Sequence, residues 1–443
     1  MVLINGKGLP IVKDRVMKVL WLCNNSPIDR KKKGGGGWLS EMAFNLKNND
    51  DIDLVYCFPS KESSGVHCLD NEKYYTFPNK FFDFSTRIKR SEILFFADVI
   101  KEEQPDIIHI WGTEFAHSLA MIKATEMIGC VGKVVVHIQG LCTACAQNYD
   151  AGLPFLVRHG FTLRDLLLGN VSLQKKHFSD RGQNELKVIK TTQNVAGRTT
   201  WDFSYTKLIN PLAEYYNVGE LMREQFYLDS WNLDKCTKHR VFMSQGSYPI
   251  KGLHFLIKAL KVVKQKYPDV TLVVAGSDVT KSRGGIKSLL QISFYGLYIR
   301  YLISKYKLTN NVLFTGPLDV NEMKKQYLDA NVYVLPSIVE NSPNSLGEAM
   351  LLGVPCIASY VGGIPDFIRN NETGFLYPFH DYHILTQRIL DVFDSGIVAQ
   401  KFSYEAKKAA VQRYNSIRTV NELLECYRGV YKRNNNARVH HGE

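Results

Sequence analysis

No run of about eighteen uninterrupted apolar residues occurs in this chain of 443 residues, so a membrane-spanning helix is not expected. The first fifteen residues, MVLINGKGLPIVKDR, lack an apolar core followed by a small-residue cleavage site and do not read as a secretory leader. The nine cysteines are odd in number and follow no paired spacing, which argues against a disulfide framework and for a reducing, cytoplasmic setting. Cys142 and Cys145 form a CxxC without a second pair, too little for a zinc site. Asp51-Ile52-Asp53 has the form of a metal-binding DxD, but it lies at the beginning of a strand, away from any cleft, and no metal is expected. There is no spaced GxGxxG followed by a ribose-binding acid, so nicotinamide chemistry is not indicated. The net charge is +12, yet the basic residues are spread along the chain; the one tight cluster is Arg30, Lys31, Lys32 and Lys33, and no zinc finger, RNA-recognition motif or basic zipper accompanies it. Nucleic acid is therefore not an expected partner. An anionic small substrate or an anionic membrane surface remains.

What is present is an ordinary globular composition, 45% hydrophobic and 22% charged, long enough for two or three domains. Short β-rich runs alternate with helical patterns. Strands are expected at Lys18–Cys23, Asp53–Phe58, Asp106–Trp111 and Lys133–Ile138, then at Val241–Ser244, Val270–Ala275, Val312–Phe314, Val332–Leu335 and Pro355–Ala358. Helices are expected at Trp38–Leu46, Glu92–Glu103, Gly252–Tyr267, Ile286–Tyr306, Val320–Leu328 and Ser345–Leu352. Runs such as KVLWLC and LVVA are apolar on both faces, as buried parallel strands are. The spacing predicts an α/β fold of doubly wound parallel sheets, repeated twice, with a polar break between residues 210 and 240 and a helical tail. The segment Phe161–Phe178 and the helix Ile286–Tyr306 mix apolar and basic residues; they suit either core-facing stripes or a surface resting on a membrane or greasy acceptor.

The most informative segment is ENSPNSLGEAMLLGVP, from Glu340 to Pro355. Ser342-Pro343 marks a helix start, leaving Glu340 on the preceding loop and Glu348, eight residues on, in the opening turns. Unpaired N–H groups at such a helix end make an anion site. The two acids are poor phosphate ligands but good acceptors for sugar hydroxyls. Lys251, delivered by SYPIKG to the start of another helix, can meet a diphosphate as a point charge. Gly34 to Gly37 run straight into Trp38, where a backbone can approach a ligand closely. Polar groups at the expected C-terminal strand ends, His109, Thr113, His137 and Gln139, fall at the cleft of such a fold, although either histidine taken alone suits a buried, hydrogen-bonded position.

ENSPNSLGE resembles the E-x7-E motif of family 4 retaining glycosyltransferases, and SYPIKG, VVAGSD, FTGPL, ANVYVLPS, AMLLGVPCIASYVGGIPD and GFLY follow in that family's order. The likeness is best over about residues 240–380, and the subset most resembled makes bacterial surface polysaccharides. It implies a GT-B fold: an N-terminal Rossmann-like acceptor domain over 1–215, a nucleotide-sugar domain over 216–403, and C-terminal helices over 404–443 crossing back to the first domain. It implies a retaining, metal-independent transfer from a nucleotide diphosphate, with UDP-sugar the expected donor, to a saccharide or lipid-linked saccharide, without a further cofactor. On that resemblance the catalytic group is Glu340, Lys251 and Gln139. Donor contacts are Gly36, Gly37, Lys251, Leu318, Glu340, Asn344, Ser345, Leu346 and Glu348. The acceptor is expected in the first domain, where Thr113 and the Arg198, Trp201 and Asp202 of GRTTWD are candidates. Two positions depart from the family pattern: Gly246 stands where an arginine is usual, and Gln139 where a histidine is common. A cytoplasmic enzyme, peripheral on the inner face of the membrane, is the resulting expectation. A GT-B epimerase or phosphorylase, or a non-catalytic carbohydrate- or membrane-binding protein, is the alternative.

Overall fold

The computed structural model describes residues 16–28, 37–47, 49–61, 64–69, 72–78, 86–281 and 291–440, with side chains to residue 436. Among these, the strands of the first half are β1 (Met17–Leu22), β2 (Ile52–Ser60), β3 (Gly65–Leu69), β4 (Glu72–Pro78), β5 (Ile107–Trp111), β6 (Val134–His137), β7 (Asn194–Gly197) and β8 (Glu214–Asn217). They form one sheet in the order β3-β4-β2-β1-β5-β6-β7-β8, parallel except where β3 pairs with β4. The second half supplies β9 (Arg240–Met243), β10 (Thr271–Val274), β11 (Val312–Phe314), β12 (Val332–Leu335), β13 (Cys356–Ser359) and β14 (Phe375–Tyr377), a parallel sheet ordered β11-β10-β9-β12-β13-β14.

The helices are α1 (Trp38–Lys47), α2 (Arg90–Glu103), α3 (Ala116–Ile128), α4 (Cys142–Asn148), α5 (Phe155–His159), α6 (Leu163–Leu168), α7 (Val171–Thr191), α8 (Thr200–Ile209), α9 (Leu253–Lys266), α10 (Phe294–Lys305), α11 (Val320–Asp329), α12 (Asn344–Leu351), α13 (Tyr382–Asp394), α14 (Gly396–Arg413) and α15 (Ser416–His440).

β1 shows why the sheets are buried on both faces. Leu20 lies between Val55 and Ile108 of its neighbours. Val19 and Trp21 point into one core with Met42 and Leu46 of α1 and Leu423 and Tyr427 of α15, while Leu20 and Leu22 point into another with Phe96 of α2 and Leu119 of α3. The two doubly wound parallel-sheet domains are those expected from the sequence. Two limbs tie them together. α14 packs Phe402 and Ala406 into the second domain's core, and α15 then returns to the first, where Tyr427 accepts a hydrogen bond from Trp21 Nε1 at 2.9 Å and lies 2.6 Å from His109 Nδ1. In the other direction, Tyr149, Leu153, Val157 and Val171 of the first half join the core of the second.

Three expectations need correction. The helix expected from Ile286 begins at Phe294, because the Ser293 side chain caps it by accepting from Gly296 N–H at 3.0 Å; residues 286–290 lie outside the described residues. The stripe Phe161–Phe178 is two helices, broken at Gly169 and restarted by Asn170, whose side chain accepts from Leu173 N–H at 3.0 Å. The polar break contains β8, which closes the first sheet and runs past the expected boundary at residue 215.

Candidate functional site

The two domains meet at the N-terminus of α12. Pro343 caps this helix with φ −76° and ψ 108°, and Asn344 opens it, one position before the expected Ser345. Leu346 and Gly347 bond back to Pro343 O at 2.9 and 3.3 Å, so the N–H groups of Asn344 and Ser345 are the open donors of the first turn.

Two glycines bring Lys251 and Glu340 together. Gly252 has φ +73°, and a Cβ there would lie 1.8 Å from Pro336 O, so the turn that carries Lys251 can lie against the loop after β12 only without a side chain. Ile338 N–H then donates to Ile250 O at 2.8 Å. Gly362 has φ +52° and lies equally close beneath Glu340: its Cβ would be 1.8 Å from Glu340 O. Lys251 Nζ donates to Glu340 Oε1 at 2.5 Å, and Ser337 Oγ donates to the same oxygen at 2.8 Å. Burial disfavours the Lys251 ammonium, but the Glu340 charge and hydrogen bond outweigh it and hold the group above its ordinary value.

Glu348 is paired too. Its carboxylate accepts from Arg223 Nη2 at 2.5 Å and from Tyr327 OH at 3.3 Å. Burial pushes its pKa above the usual carboxylate range, with Arg223 pulling it partly back. From the first domain, Arg198 donates to Gln139 Oε1 at 2.8 Å, pairs with Glu220, and lies 5.2 Å from the Trp38 ring. Burial raises Glu220 as well, against the pull of Arg198, and its other oxygen accepts from Ser342 Oγ at 2.9 Å. Gln139 Nε2 is buried without a partner. These groups line a cleft of about 400 Å³ shared by Trp38, Gln139, Arg198, Lys251, Glu340 and Ser345. A side lobe of about 210 Å³ lies between Gly37, Arg223, Asn344 and Glu348. Beside the cleft the domains are bonded directly: Thr199 Oγ1 donates to Asn341 Oδ1 at 2.7 Å, and Thr200 Oγ1 to Asp366 Oδ1 at 2.8 Å.

The structure thus gathers Gly37, Gln139, Arg198, Lys251, Glu340, Asn344, Ser345 and Glu348 at one cleft. Gly36 lies outside the described residues. Leu318 packs against the second domain's core, and Met323 of α11 reaches the cleft instead. Leu346 is buried and its N–H is already bonded. Three acceptor candidates are not among the residues that line this cleft. Thr113 is buried, with its hydroxyl 3.4 Å from Glu185. Trp201 packs on Tyr205. Asp202 is buried and accepts from Arg198 N–H at 3.1 Å, Asn341 Nδ2 at 3.1 Å and Tyr215 OH. Thr199 and Asp202 form the capping box of α8, and the T-x-x-D spacing in GRTTWD was the available signal. His109 and His137 are buried and held neutral by desolvation; His109 has its bond to Tyr427, whereas both ring nitrogens of His137 lack partners. Trp38, Glu220 and Arg223 were not anticipated. Nothing in the sequence periodicity marks Glu220 or Arg223, which reach the cleft from the segment between the sheets. Among the described residues, no group of three or more His, Cys, Asp or Glu gathers as for a metal.

Two facing parallel-sheet domains with this cleft give the chain the GT-B fold. The model of the family described as Glycosyl transferases group 1 matches its residues 229–409. The chain is 27% identical over 395 residues to the capsular polysaccharide biosynthesis glycosyltransferase CapM of Staphylococcus aureus, covering 87% of this chain and 92% of CapM. It is 22% identical over 344 residues to the N-acetyl-alpha-D-glucosaminyl L-malate synthase of Bacillus anthracis, covering 77% of this chain and 80% of that one. Among solved structures, Anabaena HepE in complex with UDP and glucose superposes with a TM-score of 0.62 at 16% identity, over 92% of this chain and 98% of HepE. The first curated relatives that the chain matches are mostly spanned over about a third to a half of their length.

Proposed function

We propose that the protein is a retaining glycosyltransferase that moves a sugar from a nucleoside-diphosphate donor, with UDP-sugar the favoured kind, to a hydroxyl of a saccharide or lipid-linked saccharide in surface-polysaccharide assembly. One observation carries this reading: the Lys251 ammonium and the open amides of Asn344 and Ser345 line the same interdomain cleft. The names of CapM and of the UDP complex of HepE support the product class and the donor.

The costly event is departure of the diphosphate as positive charge grows on the sugar carbon. Lys251 and the α12 amides face the departing charge, and preorganised contacts of this kind are worth about 3 kcal/mol each. Lys251 has hydrogen-bonding capacity left after serving Glu340. The cation missing at Gly246 is replaced by Arg198 and Arg223, which reach the cleft from elsewhere in the chain. Glu340 accepts from hydroxyls of the transferred sugar and Glu348 from those of the ribose. Gln139 offers its unpartnered Nε2 to a sugar oxygen but cannot take up a proton, so the leaving phosphate oxygen takes the acceptor's proton. The reaction needs no metal on this reading. It draws its donor from the cytoplasm and runs at the inner membrane face where the acceptor is lipid-linked. Incubation with a panel of sugar nucleotides, with and without saccharide acceptors, tests it. Acceptor-dependent release of nucleoside diphosphate with a new glycosidic bond is expected; conversion of the donor alone to an isomer would instead establish an epimerase.

A further inference from the structure

The short helices α5 and α6 turn their side chains the wrong way round for a water-facing element. In α6 the one acid, Asp165, is 1% exposed, whereas Leu166 and Leu167 are 67% and 72% exposed. In α5, Phe155 and Leu156 are 66% and 70% exposed. Phe161, Leu163 and Leu168 are exposed as well, so large apolar groups dominate the outer face of a fourteen-residue hairpin. Such patches on a folded protein mark an interaction surface.

The hairpin is held firmly while it presents them. Asp165 accepts from Thr162 N–H at 3.2 Å and from Phe294 N–H at 2.7 Å, capping α6 and bonding the first residue of α10. Asn170 Nδ2 donates to His159 O at 3.2 Å, and Ser172 Oγ to Arg158 O at 2.9 Å. The buried Asp165 and Asn170 serve the backbone, and the leucines are what is left for the outside.

The surrounding charge identifies the occupant. Residues 150–181 and 294–305 carry seven basic residues against three acidic ones, and one of those acids is the buried Asp165. Lys175 and Lys176 pair with Asp150 and Asp180, and Arg158 and Arg164, beside the leucines, lie 3.9 Å from Asp150 and 3.6 Å from Asp165, so three acids are shared among the bases. α10 adds Arg300, bonded to Thr280 O, and Lys305 beside its exposed Leu297 and Tyr301, and contains no acid, which leaves the surface net positive. Leucine and phenylalanine rimmed by arginine, lysine and tyrosine is the composition that enters the interface of a bilayer with negative headgroups. No helix among the described residues is long and apolar enough to cross a membrane, so the attachment is to the surface. We propose that α5 and α6, with the adjoining edge of α10, form a docking surface for an anionic lipid bilayer. This stands apart from the reading of the cleft: neither Leu166 nor Leu167 lines it, and donor chemistry on a soluble acceptor does not depend on them.

Flotation of the full chain with phosphatidylcholine vesicles, with and without phosphatidylglycerol, at low and high salt, tests the proposal. Binding is expected to need phosphatidylglycerol and to weaken with salt. The variant Leu166→Glu/Leu167→Glu should bind at least about tenfold less tightly, and Arg164→Gln/Lys305→Gln severalfold less at low salt only, both with unchanged melting temperature. Equal flotation with and without phosphatidylglycerol, or full binding by the leucine variant, overturns the proposal. So does a wild-type dimer that the leucine variant dissociates in the absence of vesicle binding, which would assign the surface to a second copy of the chain.

Discussion

Replacing Lys251 by methionine keeps the aliphatic stem of the side chain and removes its charge. Two separable losses follow. The first is stability. The Lys251 and Glu340 side chains are 19% and 12% exposed, between the surface pairs worth under about 1 kcal/mol and the fully buried pairs whose breakage costs about 3–5 kcal/mol. Glu340 keeps its bond from Ser337 Oγ, so a loss of about 2 kcal/mol is expected in denaturant unfolding. Adding Glu340→Gln to the methionine variant removes the stranded charge and should restore most of that loss. The second is catalysis. A cation facing the leaving diphosphate is worth about a hundredfold to a thousandfold in turnover, and the added glutamine supplies no charge, so activity stays low in the double variant. Unfolding curves read the first quantity, and initial rates at limiting and saturating donor the second. The reasoning is refuted if Lys251→Met keeps kcat/KM within about threefold of the parent, or if the double variant recovers activity along with stability.

Three further outcomes follow from the same contacts. Arg223→Ala removes the cation that pulls Glu348 towards ionisation, so the carboxyl moves further up and the acid limb of the pH–rate profile should shift to higher pH; an unmoved limb would separate Glu348 from turnover. Glu114 is pushed up to about 7 by burial, against a pull from Arg181, so its protonated form favours the folded state and the protein should lose stability as pH rises from about 4.5 to about 7, by about 3 kcal/mol at most; Glu114→Gln should flatten that slope in melting experiments across this window. Asp202→Ala breaks the α8 cap and strands Tyr215 and Asn341, and should cost about 2–4 kcal/mol in unfolding while the donor KM changes less than turnover.

Much of the scaffold could be read from residue patterns. β1, β5, β10 and β12 announce themselves as short runs rich in Val, Ile and Leu because both faces of each strand are covered by helices. β3 and β8 do not: they are edge strands with exposed or half-buried residues, and EYYN looks like a loop until a neighbour such as β7 pairs with it. The cleft divides in the same way. Glu340, Asn344, Ser345 and Glu348 lie within one helix start, where local chemistry fixes geometry, and Lys251 comes with a turn whose glycine is visible in the sequence. Their counter-charges are not local. Arg223 meets Glu348 across 125 positions of chain, so that partnership exists only once the fold has formed. Among the acceptor candidates Arg198 reaches the cleft while Asp202 caps α8: a capping box and a sugar-binding pair draw on the same residue types, and in GRTTWD the spacing from Thr199 to Asp202 serves the helix.

The most direct test of the central claim is a crystal structure of the protein with a nucleoside diphosphate bound. The account predicts the diphosphate in the interdomain cleft, within hydrogen-bonding distance of Lys251 Nζ and of the Asn344 and Ser345 amides, with the ribose towards Glu348. A diphosphate held in the first domain, away from the start of α12, contradicts it.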